Sequence, residues 1–408
     1  DHNQPSVAMR SDGGFVLVWD GNGQQSGQED SQGIFMQHYD SAGNAQDGET
    51  IVNSNNRVKS HAAIAMNATS EFVIVWESTD GIGSDFDIYL QRFDSSGTAQ
   101  GSAIRTNTTT SVDQFNPDVA MASDASFVVT WEVRGEESGA SDSHGVFFQQ
   151  FDSSAVAQGN EVRVNTTTSG TQSNADIAMT GDGDFVVVWE ADQGGSDETD
   201  IYFQRYEADG TVQGNATRVN TTDSGDHNQP SVAMRSDGGF VLVYDGGGSP
   251  AADDVYKRTY DSNGMKLSAV QVNTTDDVHS EAVVATADGD SVVVWQSSRT
   301  DEDRIALRRY AVRRDCPSRH TLYRTLVDPP KDDSTTDAPP TANQPGFFVC
   351  VDCDDDLKFV DDAEEGEDPN PLKRLEPLNK NDLEQRTENN SKLPGAWATA
   401  ISYATLTR

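Results

Sequence analysis

The sequence has little positive charge. Lys and Arg together number 29 against 67 Asp and Glu, which gives a formal net charge of -38 over 408 residues. A surface this negative repels nucleic-acid phosphates, so direct binding of nucleic acid is excluded as a function. Binding to an anionic membrane surface is disfavoured for the same reason.

Long apolar runs are also missing. No stretch approaches the roughly 18 apolar residues that a transmembrane helix requires, so we expect no membrane insertion. The chain begins at Asp1, with no Met and no basic-then-apolar leader, which favours a mature exported protein or a fragment. Together with the excess of acid, this predicts a secreted, extracellular or cell-surface location.

Cysteine is scarce, and the three residues Cys316, Cys350 and Cys353 are too few to build a disulfide-rich fold. Cys350 and Cys353 form a CxxC pair, but it stands in a strand-like run and not at the start of a helix, where redox pairs lie. One disulfide from Cys316 to either member of the pair is our expectation for an exported protein. Redox and zinc sites are the less favoured alternatives.

The common catalytic motifs are missing as well. The seven histidines form no HExxH pair, and there is no GxSxG, no P-loop and no GxGxxG that opens a helix. The sequence therefore predicts that the protein is not an enzyme and holds no organic cofactor.

What the chain does contain is a sixfold repeat of about 55 residues. Each unit has an apolar run such as FVVVW, followed by a second run such as QRFD and a third close to VNT. The aromatic residues that end the first runs are Trp19, Trp76, Trp131, Trp189, Tyr244 and Trp295. The segments are short, rich in Val, Phe and Trp, and separated by Gly, Asp and Ser, which favours strands over helices.

Six units of four short strands predict an all-β fold, a six-bladed β-propeller of four-stranded blades over residues 1–327. A linear array of small sandwiches is the alternative, but 55 residues form a thin core for an independent domain. Residues 320–327, HTLYRTLV, are the expected fourth strand of the last blade. Residues 1–18 are identical to residues 226–243, which indicates a recent duplication.

Residues 328–408 have a different composition. They are acidic and hold most of the prolines, as expected of an extended C-terminal extension. Two apolar segments, 347–351 and 397–406, are expected to dock on the propeller or on another subunit. The tail therefore suggests assembly, for example a homo-oligomer, through these segments.

Acidic loops recur between the first and second runs of each unit. Carboxylates among Gly and backbone carbonyls are the ligands that Ca²⁺ prefers, so calcium is the one metal that the sequence suggests. Solvated loops are the alternative, because no fixed spacing such as DxDxDG is present. The candidate ligands are Asp30, Asp142, Asp197 and Asp301.

The VNT motif also creates N-x-T sequons at one repeated position. In a eukaryotic secreted protein these asparagines could carry glycans. The alternative is a turn cap, in which Asn and Thr bind the local backbone, and regular recurrence favours it. The asparagines concerned are Asn107, Asn165, Asn220 and Asn273.

The repeat pattern VNT, PxVA, DGxFVVVW and QRFD resembles tandem repeats of secreted or surface-anchored bacterial proteins of the adhesin type. That resemblance covers residues 1–327 and implies extracellular adhesion or scaffolding, with no catalytic residues. We therefore expect a non-catalytic binding or structural module that engages protein or glycan through its loop faces. The alternative is a sialidase-like propeller glycoside hydrolase acting on surface glycans, although the SDGGFVLVW turn is only loosely similar and no arginine triad is evident.

Overall fold

The structure is a computed structural model that describes residues 2–23, 31–53, 58–79, 85–135, 144–192, 198–220, 225–246, 254–273, 278–287, 289–299 and 302–310. Within these residues the chain forms 23 β-strands. The same residues contain no helix long and apolar enough to cross a membrane.

The strands follow one another in chain order and form six sheets. Blades 1 to 3 consist of β1 (His2–Met9), β2 (Phe15–Gly23), β3 (Ser31–Tyr39) and β4 (Ala45–Ile51); β5 (Lys59–Met66), β6 (Phe72–Ser78), β7 (Asp87–Phe93) and β8 (Ala99–Arg105); and β9 (Asp113–Met121), β10 (Phe127–Arg134), β11 (His144–Phe151) and β12 (Ala157–Arg163). Blades 4 to 6 consist of β13 (Gln172–Met179), β14 (Phe185–Asp192), β15 (Thr199–Tyr206) and β16 (Val212–Arg218); β17 (His227–Met234), β18 (Phe240–Gly246), β19 (Asp254–Tyr260) and β20 (Lys266–Gln271); and β21 (Val278–Ala287), β22 (Asp290–Arg299) and β23 (Glu302–Tyr310).

Each sheet is an antiparallel meander in which every strand pairs with its neighbours in sequence. The first strand of each blade is innermost, and all six inner strands line one cavity, so the blades form a ring. The predicted six-bladed propeller is therefore confirmed, and the linear array is wrong. The predicted fourth strand at 320–327, the boundary at 327 and the tail 328–408 lie outside the described residues.

The aromatic residue that follows the apolar run of each second strand fills the space between blades. Trp76, Trp131 and Trp189 are at most 2% exposed, and Trp131 stacks on Phe147 of the next strand with centroids 6.5 Å apart. The Trp131 indole N–H donates to Gln114 Oε1 at 2.7 Å, so its one polar atom is satisfied. Burying such a ring removes about 150–250 Å² from water, worth roughly 4–6 kcal/mol as an upper bound.

The cores lie between blades and not within them. One cluster joins Val188, Ile201 and Phe203 of blade 4 to Phe240 and Leu242 of blade 5. We call the face that a blade turns to the next blade its forward face, and the opposite one its rear face. A forward face is buried only when a rear face covers it, so no blade has a complete core alone.

The outermost strands are exposed and carry a bulge that disturbs their edge. Strand β12 is exposed along most of its length, and its pairing with β11 shifts register between Phe148 and Gln150. Gly159 lies in this bulge with φ of +74°, a conformation that glycine adopts without strain. A Cβ at Gly159 would meet no atom within 4 Å, so the backbone angle and not space requires glycine there. Such bulges discourage edge-to-edge pairing between molecules.

Lys257 is a charged residue at a forward-face register position that is apolar in blades 1 to 4, and we expect its replacement by an apolar residue to stabilise the fold. Blades 1 to 4 place an apolar residue at this register position, whereas Lys257 is 8% exposed with its Nζ 3.9 Å from the centre of the Tyr310 ring. Burial, with the nearby Arg235 charge, lowers the pKa of Lys257 to about 8. The apolar equivalents are Met36, Leu90, Phe148 and Phe203.

We expect Lys257→Met to raise the free energy of unfolding by about 1–2 kcal/mol at neutral pH, because it removes a desolvated ammonium group. The loss of the cation–π contact with Tyr310 offsets part of the gain. Denaturant unfolding measures the difference, and Lys266→Met on the exposed strand β20 is the control. A destabilised Lys257→Met variant beside an unchanged control would contradict this account.

Candidate active site

Each inner strand has a bulge at the same place, and the bulged residue is polar with a positive φ. In blade 3, φ of Asn116 is 49°, and the register between β9 and β10 shifts at this point. A positive φ is strained for a residue with a Cβ, so the neighbouring structure must hold it in place. The six residues are Gln4, His61, Asn116, Asn174, Gln229 and Glu281.

A buried carboxylate follows the core aromatic in five of the six second strands. The residues are Asp20, Glu77, Glu132, Glu190 and Asp245, all at most 7% exposed, and Gln296 takes the position in blade 6. Sequence reasoning did not single these residues out. The available signal was the acid that follows the aromatic residue in five of the six runs.

The three glutamates join each blade to the next through the strained backbone. The Asn116 amide of blade 3 donates to Glu77 Oε2 of blade 2 at 3.1 Å, and the Asn174 amide of blade 4 donates to Glu132 Oε1 at 2.7 Å. The Gln229 amide of blade 5 likewise donates to Glu190 Oε1. These bonds satisfy buried amides that have no partner within their own sheet.

In blades 1 and 5 a different side chain accepts the bulge amide of the next blade. These blades carry an aspartate after the aromatic, which is one methylene shorter, and a glutamine at the bulge. Gln4 Oε1 accepts the His61 amide at 3.3 Å, and Gln229 Oε1 accepts the Glu281 amide at 3.0 Å. These side chains, glutamates in blades 2 to 4 and glutamines in blades 1 and 5, therefore first of all hold neighbouring blades together, and we call them clamp residues.

The inner strands enclose a cavity of 380 Å³ at the centre of the ring. Its wall includes the carboxyl groups of Asp118, Glu132, Asp176 and Glu281 together with the His61 ring. No lysine or arginine belongs to this wall within the described residues. The cavity is thus strongly acidic, with one histidine as its titratable base.

Glu132 lines the cavity and Glu77 does not, and the pKa values of these two neighbouring glutamates are shifted in opposite directions. Burial raises the pKa of Glu132, which is 1% exposed, to about 7. Burial also opposes ionisation of Glu77, but the hydrogen bonds from His61 and Ser60, both 2.7 Å long, lower its pKa below the ordinary value. Asn116 binds both groups, since its side-chain amide donates to Glu132 Oε1 at 3.1 Å.

Asp118 and Asp176 form a second carboxyl pair. Burial and the mutual contact raise the pKa of Asp118 well above the usual range, so the two groups share a proton. Each also binds the next blade, because Asp118 Oδ2 accepts the Ile177 amide at 3.1 Å and Asp176 Oδ2 accepts the Val232 amide at 2.8 Å.

The predicted glycosylation sites occupy buried positions beside the third strands. Asn107 is 2% exposed, and its Oδ1 accepts the Ile88 amide at 2.8 Å while its Nδ2 donates to Asp87 and to the Thr109 carbonyl. Asn165, Asn220 and Asn273 are each 3% exposed and accept the equivalent amides. Glycosylation there stays a prediction, and on Asn107 it would replace one of the two Nδ2 hydrogens that donate to Asp87 and Thr109.

The remaining predicted sites lie outside the described residues. They are the calcium candidates Asp30, Asp142, Asp197 and Asp301 and the cysteines Cys316, Cys350 and Cys353. Within the part of the chain that the structure describes, no group of three or more His, Cys, Asp or Glu residues is arranged to hold a metal ion. Calcium binding and the disulfide remain predictions.

Comparison with protein-family models and with curated protein sequences finds no match. Solved structures share the fold. A Penicillium chrysogenum α-L-arabinanase complexed with arabinobiose is 11% identical, with 76% of this chain and 93% of that chain covered and a TM-score of 0.52. A polysaccharide lyase, an ulvan lyase bound to -[GlcA(1-4)Rha3S]-, is 9% identical, with 74% and 77% covered and a TM-score of 0.51. A protein of unknown function from Dyadobacter fermentans is 10% identical, with 75% and 93% covered and a TM-score of 0.52.

These comparisons correct two predictions. The non-catalytic scaffold and the assignment as a non-enzyme are both contradicted, because the similar propellers include a glycan hydrolase and a glycan lyase. The repeats themselves are real, but nothing links them to adhesins. A glycan as the partner agrees with the oligosaccharides bound in those two structures. Identity near 10% establishes the fold and transfers no residue roles.

The raised pKa of Glu132 predicts how stability depends on pH. The fold favours the protonated carboxyl, so the stabilisation is complete below the ordinary value of 4.5 and is lost as the pH rises through about 7. At about 1.4 kcal/mol per unit, the loss from this group is roughly 3 kcal/mol. Asp118, Asp176 and Glu190 have the same sign, because burial raises their pKa values.

We therefore expect the unfolding temperature to fall from mildly acidic to neutral pH, and Glu132→Gln to make that fall less steep. Differential scanning calorimetry across this range is the measurement. Glu77→Gln is the control, since the pKa of Glu77 is lowered and its ionised form stabilises the fold. An unfolding temperature that rises toward neutrality, with the same slope in Glu132→Gln, would refute the assignment.

Proposed function

We propose that the protein is a glycoside hydrolase that cleaves a neutral polysaccharide at the central cavity, with Glu132 as the general acid. The observation that carries the proposal is a carboxyl group in the cavity wall with a pKa of about 7, close to a carboxyl pair that shares one proton. Enzymes that hydrolyse glycosides need one protonated and one ionised carboxyl group on either side of the bond.

Glu132 has the environment of an acid that works near neutral pH. Its carboxyl group is buried, so the neutral form is favoured, yet it belongs to the wall of the cavity. The amide of Asn174 and the side chain of Asn116 hold one of its oxygens in place. This leaves the protonated group oriented for transfer to a glycosidic oxygen.

The Asp118–Asp176 pair supplies the second charge. Asp118 and Asp176 share a proton, so they are too close together to be the two separate carboxyl groups of a hydrolase. One proton between two carboxyl groups leaves one negative charge, and this carboxylate is the base that accepts a proton from the attacking water.

Asp118 lies in register with Thr130, two residues before Glu132, so both carboxyl groups lie on the forward face of blade 3. The backbone positions of diagonal neighbours are roughly 7–8 Å apart, and a bulge lies between Thr130 and Glu132. Carboxyl groups of inverting hydrolases are about 6.5–9.5 Å apart, which leaves room for the water. A backbone spacing of this size is compatible with the inverting arrangement.

The charge of the wall argues for a neutral substrate. Uronates and sialosides carry a carboxylate that needs a cation or a strong donor to neutralise it, above all when an enolate develops in a lyase reaction. Within the described wall, His61 is the single side chain that can supply a positive charge. A neutral glycan meets no such repulsion, so we favour hydrolysis over elimination and do not favour sialosides.

Secretion agrees with this proposal, because polysaccharide substrates of this kind lie outside the cell. The support is the net charge of -38. Calcium in the acidic loops remains a separate proposal with its own test, which is the effect of a chelator on activity.

The full-length protein should release reducing ends from at least one neutral polysaccharide in a panel of arabinan, galactan, xylan and mannan. Glu132→Gln should lower kcat at least about 100-fold, as expected for loss of a general acid. Glu190→Gln is the matched control, because Glu190 clamps the next blade as Glu132 does but does not line the cavity.

The proposal fails if both variants lose activity equally, since the effect would then be structural. It also fails if Glu132→Gln keeps full activity. Cleavage of ulvan or alginate alone, with unsaturated uronate products, would assign the cavity to a lyase.

A further inference from the structure

The forward face of blade 6 is uncovered. Ile305 is 49% exposed and Leu307 is 68% exposed on β23. Both side chains are large and apolar, and Ile305 lies in register with Gln296 while Leu307 lies in register with Val294. An exposed apolar pair on the third strand of a blade is unusual in this protein, as its repeats show.

The same two positions are buried in every other blade. The equivalents of Ile305 are each 0% exposed, and those of Leu307 range from 1% to 8%. The first set is Ile34, Ile88, Val146, Ile201 and Val255, and the second is Met36, Leu90, Phe148, Phe203 and Lys257. Five blades thus show that this face is built to be covered by apolar side chains.

The rear face of blade 1 is also incompletely covered. Phe15 and Leu17 are half-buried, whereas the equivalent Phe72 and Ile74 of blade 2 are 1% and 0% exposed. Gln4 of blade 1 and residues 281–283 of blade 6 line the same central cavity, so the two incomplete faces belong to one joint of the ring. We call the space between Phe15, Leu17, Ile305 and Leu307 the closing slot.

We infer that the closing slot binds residues 397–406 of the same chain, with sequence WATAISYATL. In this segment one strand face holds Trp397, Thr399, Ile401, Tyr403 and Thr405, and the other holds small residues from Ala398 to Ala404 and ends with Leu406. Alternation with period two gives a strand one bulky apolar face, and the β-branched and aromatic residues favour that conformation. The bulky apolar face of such a strand fits between the incompletely covered apolar faces of blades 6 and 1.

The length and charge of the chain outside the described residues select this segment. Residues 311–396 separate it from the end of β23, which is ample length to return to the joint. Residues 347–351 are the other apolar run, but Asp352 and the acids 354–356 follow it directly. Glu281 of blade 6 lines the acidic cavity at this joint, so a segment without acids is favoured there.

The test places a photoreactive benzoyl-phenylalanine at position 307 of the full-length protein. Irradiation followed by peptide mass spectrometry should give an intramolecular cross-link to the peptide that contains 397–406. Position 267 is the matched control, because Leu267 is 56% exposed on the outer strand of blade 5 and faces no joint. A cross-link to residues 345–353, a cross-link between two copies, or no cross-link at all would overturn the inference.

Hydrogen exchange on two point variants separates docking from global stability. Ile401→Asp on the bulky face should speed amide exchange of β23 and of residues 15–19 at least tenfold. Ser402→Asp, one residue away on the small face, should leave exchange in both strands unchanged. Equal effects of the two substitutions, or none from Ile401→Asp, would contradict binding of this face in the slot.

Discussion

The stability of the ring depends on hydrogen-bond acceptors for the backbone amides that lie around its axis. The inner strands of neighbouring blades do not pair as a ladder, so amides that face the next blade have no partner within their own sheet. A side chain of the preceding blade provides the acceptor, as Glu77 does for Asn116 and Glu132 does for Asn174. The positive φ of the bulged residue turns its amide toward that acceptor. This single requirement concentrates carboxylates at the axis and produces the acidic cavity with its raised pKa values.

The same groups therefore carry both stability and the proposed chemistry. Glu132 is a clamp residue in the repeat, and its cavity position makes it a candidate acid as well. Glu190 performs the clamp role without lining the cavity. Differences between equivalent positions, and not the repeat itself, distinguish function from architecture here. Asp118 and Asp176 illustrate this, because the same position is Ser6, Ala63, Ser231 or Val283 in the other blades.

The sequence predicts the propeller well and the site poorly, for a physical reason. Each FVVVW run is apolar on both faces because blades cover both sides of the second strand, and that pattern is visible in the letters alone. The candidate site combines Asp118 and Glu132 of one hairpin with Asp176 of the next blade, and the packing of blade 4 on blade 3 brings them to one cavity. No local motif records that packing. The buried asparagines show that a local motif alone does not decide the role of a residue. Asn107 fits a glycosylation sequon and a backbone cap equally well until its burial is known.

The two forms of the clamp have a consequence for how such a ring can evolve. In blades 1 and 5 the bulge glutamine and the shorter aspartate occur together, within one hairpin that is nearly identical in both copies. In blades 2 to 4 a longer glutamate accepts the bulge amide of the next blade. Both acceptors are encoded inside a single inner hairpin, whereas the donor is a backbone amide that every blade presents whatever its sequence. An inner hairpin can thus be copied or exchanged as a block without breaking the joint that follows it. This architecture therefore tolerates the duplication or exchange of a whole inner hairpin more readily than the replacement of a single clamp residue.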